Sequence, residues 1–459
     1  MPGYLTLETL AQAVDAGEID TVIVAAVDMQ GRLMGKRFHA AHFVSHGWQE
    51  THCCNYLLTT DMEMNTVPGY ASASWEQGYG DYIMRPDLAT LRRAPWLEGT
   101  ALVLCDLLDH AHTEVPQSPR AILKRQIARA HEMGFEAMMA TELEFYIFQN
   151  SYESLRGDFA EGAGPRNLVP LAASNEDYAI FQTSREEPVM RALRNGLHGA
   201  GIPVENTKGE ADVGQVEVNV RYAEALTTAD NHAIIKTAAK DIAQAQGQSV
   251  TFMAKYATDK AGSSSHVHQS LWTHDGLPAF RDPSDPLGMS QIMKWFLAGQ
   301  LAHARELTLF LAPFVNSYKR FCVGLFAPTK AVWSPDNRTA GFRVCGENTA
   351  AVRVECRIGG ADLNPYLACA VLLAAGLDGI AQKRPLEPAM TGDMYAAETA
   401  REIPKTLREA VALAEGASWL RAALGDAVVD HYVHAARWEI SETDRVVTDW
   451  DLRRGLERV

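Results

Sequence analysis

The feature that most limits how this chain can fold is a set of segments in which acids, histidines and arginines recur at every second position. Side chains alternate faces along a β-strand. Thr141-Glu142-Leu143-Glu144-Phe145 therefore sets both glutamates on one face. In 215–220, Glu217 and Asn219 oppose Val216, Val218 and Val220. In 264–270, His266, His268 and Ser270 share a face, and in 352–358 so do Arg353, Glu355 and Arg357. The stretch 337–343 reads as a fifth strand bringing Arg338 and Arg343. A half-exposed strand accounts for any one of these patterns. Solvent faces usually carry threonine, lysine and mixed polar residues, whereas these carry Glu, His and Arg, so the set argues for one sheet face that gathers chemistry.

Gathering acids has a cost. Two carboxylates two residues apart on a strand sit roughly 6–7 Å apart and repel by roughly 2–3 kcal/mol at an effective dielectric near 20. Four or five of them need a cation, and carboxylate oxygens with an occasional imidazole suit Mg²⁺ or Mn²⁺. These faces lack thiolates, which disfavours a structural zinc site. The arginines suit phosphate and carboxylate groups. Metal and arginine together are the usual apparatus of phosphoryl transfer. The chain has neither a Gly-x-x-x-x-Gly-Lys-Ser/Thr loop nor an evident strand–Gly-x-Gly-x-x-Gly–helix unit, so ATP would need a different kind of site.

At 459 residues, with 47% hydrophobic and 22% charged, the chain is long enough for two or three packing units. A net charge of −15 argues against nucleic acid as a partner. The seven cysteines are odd in number and include no Cys-x-x-Cys pair, which fits a reduced, cytoplasmic compartment. No leader is read in Met1–Leu10, and the longest apolar run, Tyr366–Leu377, is too short for a membrane and reads as a buried helix. Thr21–Val27 reads as a strand entering a turn at Asp28–Gly31. Ser118-Pro119 starts a helix stopped by Gly134, with Ile122, Leu123, Ile127 and Ala130 on one face, and Glu136–Phe148 follows as a strand. Ser290 opens a helix towards Pro313, and Asn364-Pro365 caps another. Gly157–Gly164 reads as a surface loop. A polar linker at 109–117 divides the chain into 1–109 and 110–459.

At Thr141–Phe145, Glu210 through Gln215 to Glu217, Gly262 through His266 to His268, Asn316–Arg320, Asn337-Arg338, and Glu355–Arg357 followed by Asn364-Pro365, the sequence resembles the glutamine synthetase superfamily, in the family's order and over nearly the whole chain. The resemblance implies an α+β fold: a small N-terminal β-grasp domain (1–109), then a catalytic domain (110–459) with a curved antiparallel sheet lined by metal ligands and packed by helices. It implies a homo-oligomer of hexameric rings or a dodecamer, with active sites between subunits. Glu144, Glu210 and Glu217 resemble the ligands of one metal, and Glu142, His266 and Glu355 those of a second, giving two or more Mg²⁺ or Mn²⁺ per site. Gly262, Arg320 and Arg357 match glutamate-contacting positions. Glu205, His268, Ser270, Arg338 and Arg343 match positions on the ATP side, and Arg338, Arg320 and Arg357 are the catalytic candidates. The implied reaction phosphorylates the γ-carboxylate of L-glutamate with ATP, and an amine then displaces phosphate.

The sequence departs from the family pattern around the amine. Ammonia-using members carry an acid where Phe326 stands, and an Asp-Gly-Ser-Ser motif where His52-Cys53-Cys54-Asn55-Tyr56 stands. Losing both acids removes a charged trap for ammonium, while Phe326 and Tyr56 would pack against carbon. The expectation is a γ-glutamylamide synthetase using an organic monoamine such as ethanolamine, an alkylamine or an arylamine. Its rivals are an ammonia-dependent glutamine synthetase, a γ-glutamylpolyamine synthetase and a non-catalytic ring protein of the same family.

Overall fold

The computed structural model describes residues 3–160 and 168–459, and it builds the chain around two sheets. The first has the strands β1 (Thr21–Val27), β2 (Leu33–His39), β3 (Thr51–Cys54), β4 (Asp81–Pro86), β5 (Arg92–Arg93) and β6 (Thr100–Leu108). Its order is β2-β1-β6-β4-β3, with β5 added against β6. β1 and β6 run parallel at its centre and the other pairings are antiparallel. This is the small β-rich N-terminal unit that the sequence anticipated. The β1–β2 turn is set by Asp28, whose Oδ1 accepts from the backbone N–H of Gln30 (3.0 Å) and Arg32 (2.8 Å). Gly31 takes a φ of +81° there, which a side chain would resist.

The second sheet contains β7 (Phe135–Phe148), β8 (Val204–Gly209), β9 (Gln215–Val220), β10 (Ala223–Glu224), β11 (Ser249–Thr251), β12 (Ser265–Thr273), β13 (Trp333–Pro335), β14 (Phe342–Cys345) and β15 (Arg353–Cys356). Its main order is β13-β14-β15-β12-β7-β9-β8, with β10 and β11 extending β7. It is antiparallel except for β13–β14, which pair in parallel. One face is apolar. Leu143, Phe145, Val216 and Val218 pack against the helix Ala225–Ala245, while Val267, Leu271 and Val354 join the cluster around the helix Pro365–Ala381. Every residue of that last helix but Asp378 and Ala381 is buried, as the run Tyr366–Leu377 indicated. It packs against the helices Gln291–Leu311, Pro119–Glu132 and Ala225–Ala245. With its apolar face committed to helices, the sheet has the opposite face left for polar groups.

Polar links tie the sheets together, two of them centred on Asn364 and Arg120. The Asn364 side chain caps the helix Pro365–Ala381 by accepting from Tyr366 N, and donates to the carbonyls of Asp28 and Met29. The buried Arg120 meets Asp87 and Asp106 beside the first sheet, and Asp230 on the helix Ala225–Ala245.

Three local readings need correction. Residues 337–341 form no strand: Asn337 Oδ1 accepts from Thr339 N at 2.9 Å and closes a turn, so only Phe342–Cys345 joins the sheet. Of the expected loop Gly157–Gly164, the part up to Ala160 belongs to the helix Tyr152–Ala160, and the rest lies outside the described residues. Ser118 stands at the N-cap of the helix Pro119–Glu132, but its hydroxyl makes no capping bond, so Pro119 carries the start. Among the described residues, no helix is long and apolar enough to cross a membrane.

Candidate active site

Strand register assembles the site. β7 is central: Glu142 stands opposite His266 of β12, and Glu144 opposite Glu217 of β9. One strand further out, His268 faces Glu355 of β15, and Glu355 faces Arg343 of β14. Cross-strand partners on one face have their Cβ atoms about 5 Å apart, so this register alone converges the donors.

Glu142, His266 and Glu355 each present a donor atom, all within 4.8 Å of one another. His266 Nδ1 lies 2.9 Å from Glu142 Oε2 and 3.5 Å from Glu355 Oε1. His268 Nε2 adds a 2.8 Å bond to Glu142 Oε1. Burial alone would raise the Glu142 carboxyl, but the bonds from both imidazoles outweigh it and hold it far below the usual carboxylate range. At Glu355 burial is again outweighed, by Arg357, His266 and His268, which bring it down to about 2. Burial and Arg357 lower His266, and its Nε2 is buried with no protein partner. Nδ1 is the nitrogen that faces both ionised carboxylates, and a cation held there would take it together with Glu142 and Glu355.

Glu144, Glu210 and Glu217 form a second trio, again within 4.8 Å. Glu144 Oε2 accepts from Ser264 N (2.7 Å) and Gln215 Nε2 (3.2 Å). Burial and Glu210 push Glu144 up to about 7. Burial and the three neighbouring glutamates push Glu217 up to about 9, with Lys208, bonded to Glu210, opposing them. Three converging acids with one lysine beside them are a poor protein interior and a good oxygen cage for a hard divalent cation. Both donor sets fit such an ion.

Arginines close one side. Arg320 is fully buried and donates to Ile358 O (2.9 Å), Ser264 Oγ (2.7 Å) and Arg357 O (3.1 Å). Burial lowers it to about 10, and its Nε has no partner. Arg357 binds Glu355 Oε1 at 2.5 Å, and Arg343 binds Glu355 Oε2 at 3.1 Å. Gly262 sits against this group: a Cβ there would fall 2.5 Å from Arg320 Cγ and 2.7 Å from Ala254 O, so only glycine fits. Arg338 is exposed on the 337–341 turn, and its carbonyl accepts from Arg357 Nε at 3.1 Å. A cavity of about 670 Å³ opens beside the first trio, lined by Glu142, Glu205, His268, Ser270 and Arg353 among others. That volume suits a nucleotide-sized ligand.

The glutamine synthetase catalytic-domain family model matches residues 116–455. The chain belongs to the glutamine synthetase family. It is 49% identical, over 99% of its own length and 96% of the relative's, to gamma-glutamylethanolamide synthetase GlnA4 of Streptomyces coelicolor. It is 36% identical to the glutamate–isopropylamine ligase of a Pseudomonas species, over 97% of this chain and 96% of that one. Among solved structures it is similar to ligand-free GmaS, with a TM-score of 0.84 at 27% identity, covering 98% of this chain and 99% of that chain.

Phe326 and Tyr56, the two positions expected to meet the amine, do not line the same cleft. Phe326 is 55% exposed with a φ of +54°. Tyr56 lies on the first sheet's side, in the turn after β3, edge-on to Tyr79, which in turn meets Trp75. Tyr56 lines a cleft with His52, Cys53, Cys54 and Asp81, and Asp81 stands opposite Cys54 in the β3–β4 register. Sequence reading passed over Asp81 and Lys208 and gave no role to Ser264 or Gln215; it put Arg353 on the right face without showing that its Nε donates to His268 Nδ1 at 3.1 Å. Strand parity sets Gln215 and Arg353 on the same faces as the donors beside them. Lys208 was not findable on that ground, because only the β8–β9 register sets it opposite Glu217.

Proposed function

We propose that the chain is an ATP-dependent ligase joining the γ-carboxyl of L-glutamate to an organic primary amine through a γ-glutamyl phosphate. The supporting observation is the pair of donor trios beside Arg320 and Arg357, in a chain alike over almost its whole length to two proteins named for joining glutamate to an amine. Glu144, Glu210 and Glu217 would hold one Mg²⁺ or Mn²⁺, and Glu142, His266 and Glu355 another. Bound there, such ions offset the carboxylates and the phosphate charge of ATP. Arg320 and Arg357 orient the glutamate, with Gly262 leaving room for its backbone to approach. Glu205, His268 and Ser270 face the cavity that takes the nucleotide. Arg338 and Arg343 supply positive charge where charge builds on the transferring group. The attacking amine must be neutral. Phe326 and Tyr56 offer it aromatic surface where ammonia users carry acids, which favours an alkyl or hydroxyalkyl amine over ammonium, with Asp81 the acid that shares the Tyr56 cleft.

Tyr56 and Phe326 complete one pocket if neighbouring chains meet there, which accords with a homo-oligomeric ring of six or twelve subunits. We also place the division between the units at 109/110 and the enzyme in the cytoplasm. Incubation with ATP, glutamate, Mg²⁺ and ethanolamine tests the reading. The expected product has the mass of γ-glutamylethanolamide, and its absence with every amine tried would remove the proposal.

A further inference from the structure

Outside the central site, the described residues contain one more convergence of metal-binding groups. His131 lies in the last turn of the helix Pro119–Glu132, Glu136 is the second residue of β7, and His274 follows β12. Their donor atoms all lie within 4.8 Å of one another. His274 Nδ1 is 3.0 Å and His131 Nε2 3.6 Å from the same oxygen, Glu136 Oε1. The two imidazole rings lie 4.4 Å apart, tilted by 43°.

We propose that His131, Glu136 and His274 bind a transition-metal cation of the Zn²⁺ class, separately from the two central trios. Spacing is the first ground. Zinc–nitrogen and zinc–oxygen bonds of about 2.0–2.2 Å in a tetrahedron set donors about 3.3–3.5 Å apart, and 3.0 and 3.6 Å bracket that edge. Donor chemistry is the second. Two imidazoles and one carboxylate suit a borderline cation, whereas the acid-rich central trios suit Mg²⁺ or Mn²⁺. The third is that each donor is held by a different constraint. His131 is fixed by the helix, Glu136 by the ladder in which it faces Trp272, and His274 by the turn closed by Gly276 N to Thr273 O (2.9 Å). All three are part-exposed, so a cation can enter and a fourth position stays open to water. Six residues along β7 separate Glu136 from Glu142, about 20 Å, so the ion would not touch the central donors.

Co²⁺ serves as the visible probe, added to the full-length protein in a large excess of Mg²⁺. Wild type should take up one more Co²⁺ per chain than His131→Ala or His274→Ala. The added absorption should be that of tetrahedral Co²⁺, and Zn²⁺ should abolish it. Both histidines are surface residues, and circular dichroism verifies that the variants fold. Equal Co²⁺ uptake by wild type and both variants would overturn the proposal.

Discussion

Glu142 and Glu217 are the same residue type on neighbouring strands of one sheet, yet their surroundings drive them in opposite directions. Two imidazoles hold Glu142 ionised, while Glu217, among acids, is pushed up to about 9. The acid trio therefore carries a pH signature. Glu144 and Glu217 have folded values raised to about 7 and 9, above the usual 4.5, so their contribution to stability is complete below the usual 4.5 and is lost progressively as pH rises from there through those values. A bound cation reverses the loss. Mg²⁺ should raise the melting temperature more at pH 9 than at pH 6, as thermal melts at the two pH values would read; an equal or smaller rise at pH 9 contradicts this reading of the trio. Glu142→Ala and His266→Ala should each lower glutamate-dependent phosphate release by at least about 100-fold with the fold retained; activity near wild type would show that the first trio holds no essential ion. Phe326→Glu restores an acid where ammonia users carry one, and should shift amine preference towards ammonium, measured as the ratio of kcat/KM for the two amines. An unchanged ratio would place Phe326 away from the amine. The even spacing of Glu142, Glu144, His266, His268 and Glu355 made these residues legible, because strand parity is written in the sequence. Glu210 was reachable only through resemblance, since it stands in a turn and no periodicity points to it.

At the scale of elements, chain punctuation was readable where one side chain acts on its own helix. Ser290 accepts from Met293 N and Asn364 from Tyr366 N, so both starts were visible locally. The 337–341 segment was misread because a polar alternation also fits a turn, and the bond from Thr339 N to Asn337 outweighs the pattern. The parallel β13–β14 pair likewise depends on a connection that no local pattern encodes. Asn364 does more than its sequence position reveals, since its amide also bonds to the Asp28 and Met29 carbonyls of the β1–β2 turn. Asn364→Ala should cost about 1–3 kcal/mol, combining a lost cap with a buried Met29 carbonyl left unpaired, while Asp28 O keeps its bond from Gly31 N. Denaturant unfolding would measure it, and a change within about 0.5 kcal/mol would show that the link is not carrying stability.

Across the whole molecule, one sheet face is given to helices and the other to ionisable groups, which explains how a chain of net charge −15 can concentrate acids without losing its core. The two-sheet plan followed from length, the polar linker and the resemblance. That Phe326 does not line the cleft of Tyr56 did not, because sequence order says nothing about which residues share a cleft. The central claim is that the enzyme prefers an organic amine, and phosphate release from ATP tests it most directly, with glutamate and Mg²⁺ present and a panel of ammonium, ethanolamine, alkylamines, aniline and polyamines. The account predicts release that requires glutamate and is driven best by an organic monoamine, with ethanolamine the first to try. Release driven best by ammonium, or none with any amine, would contradict it.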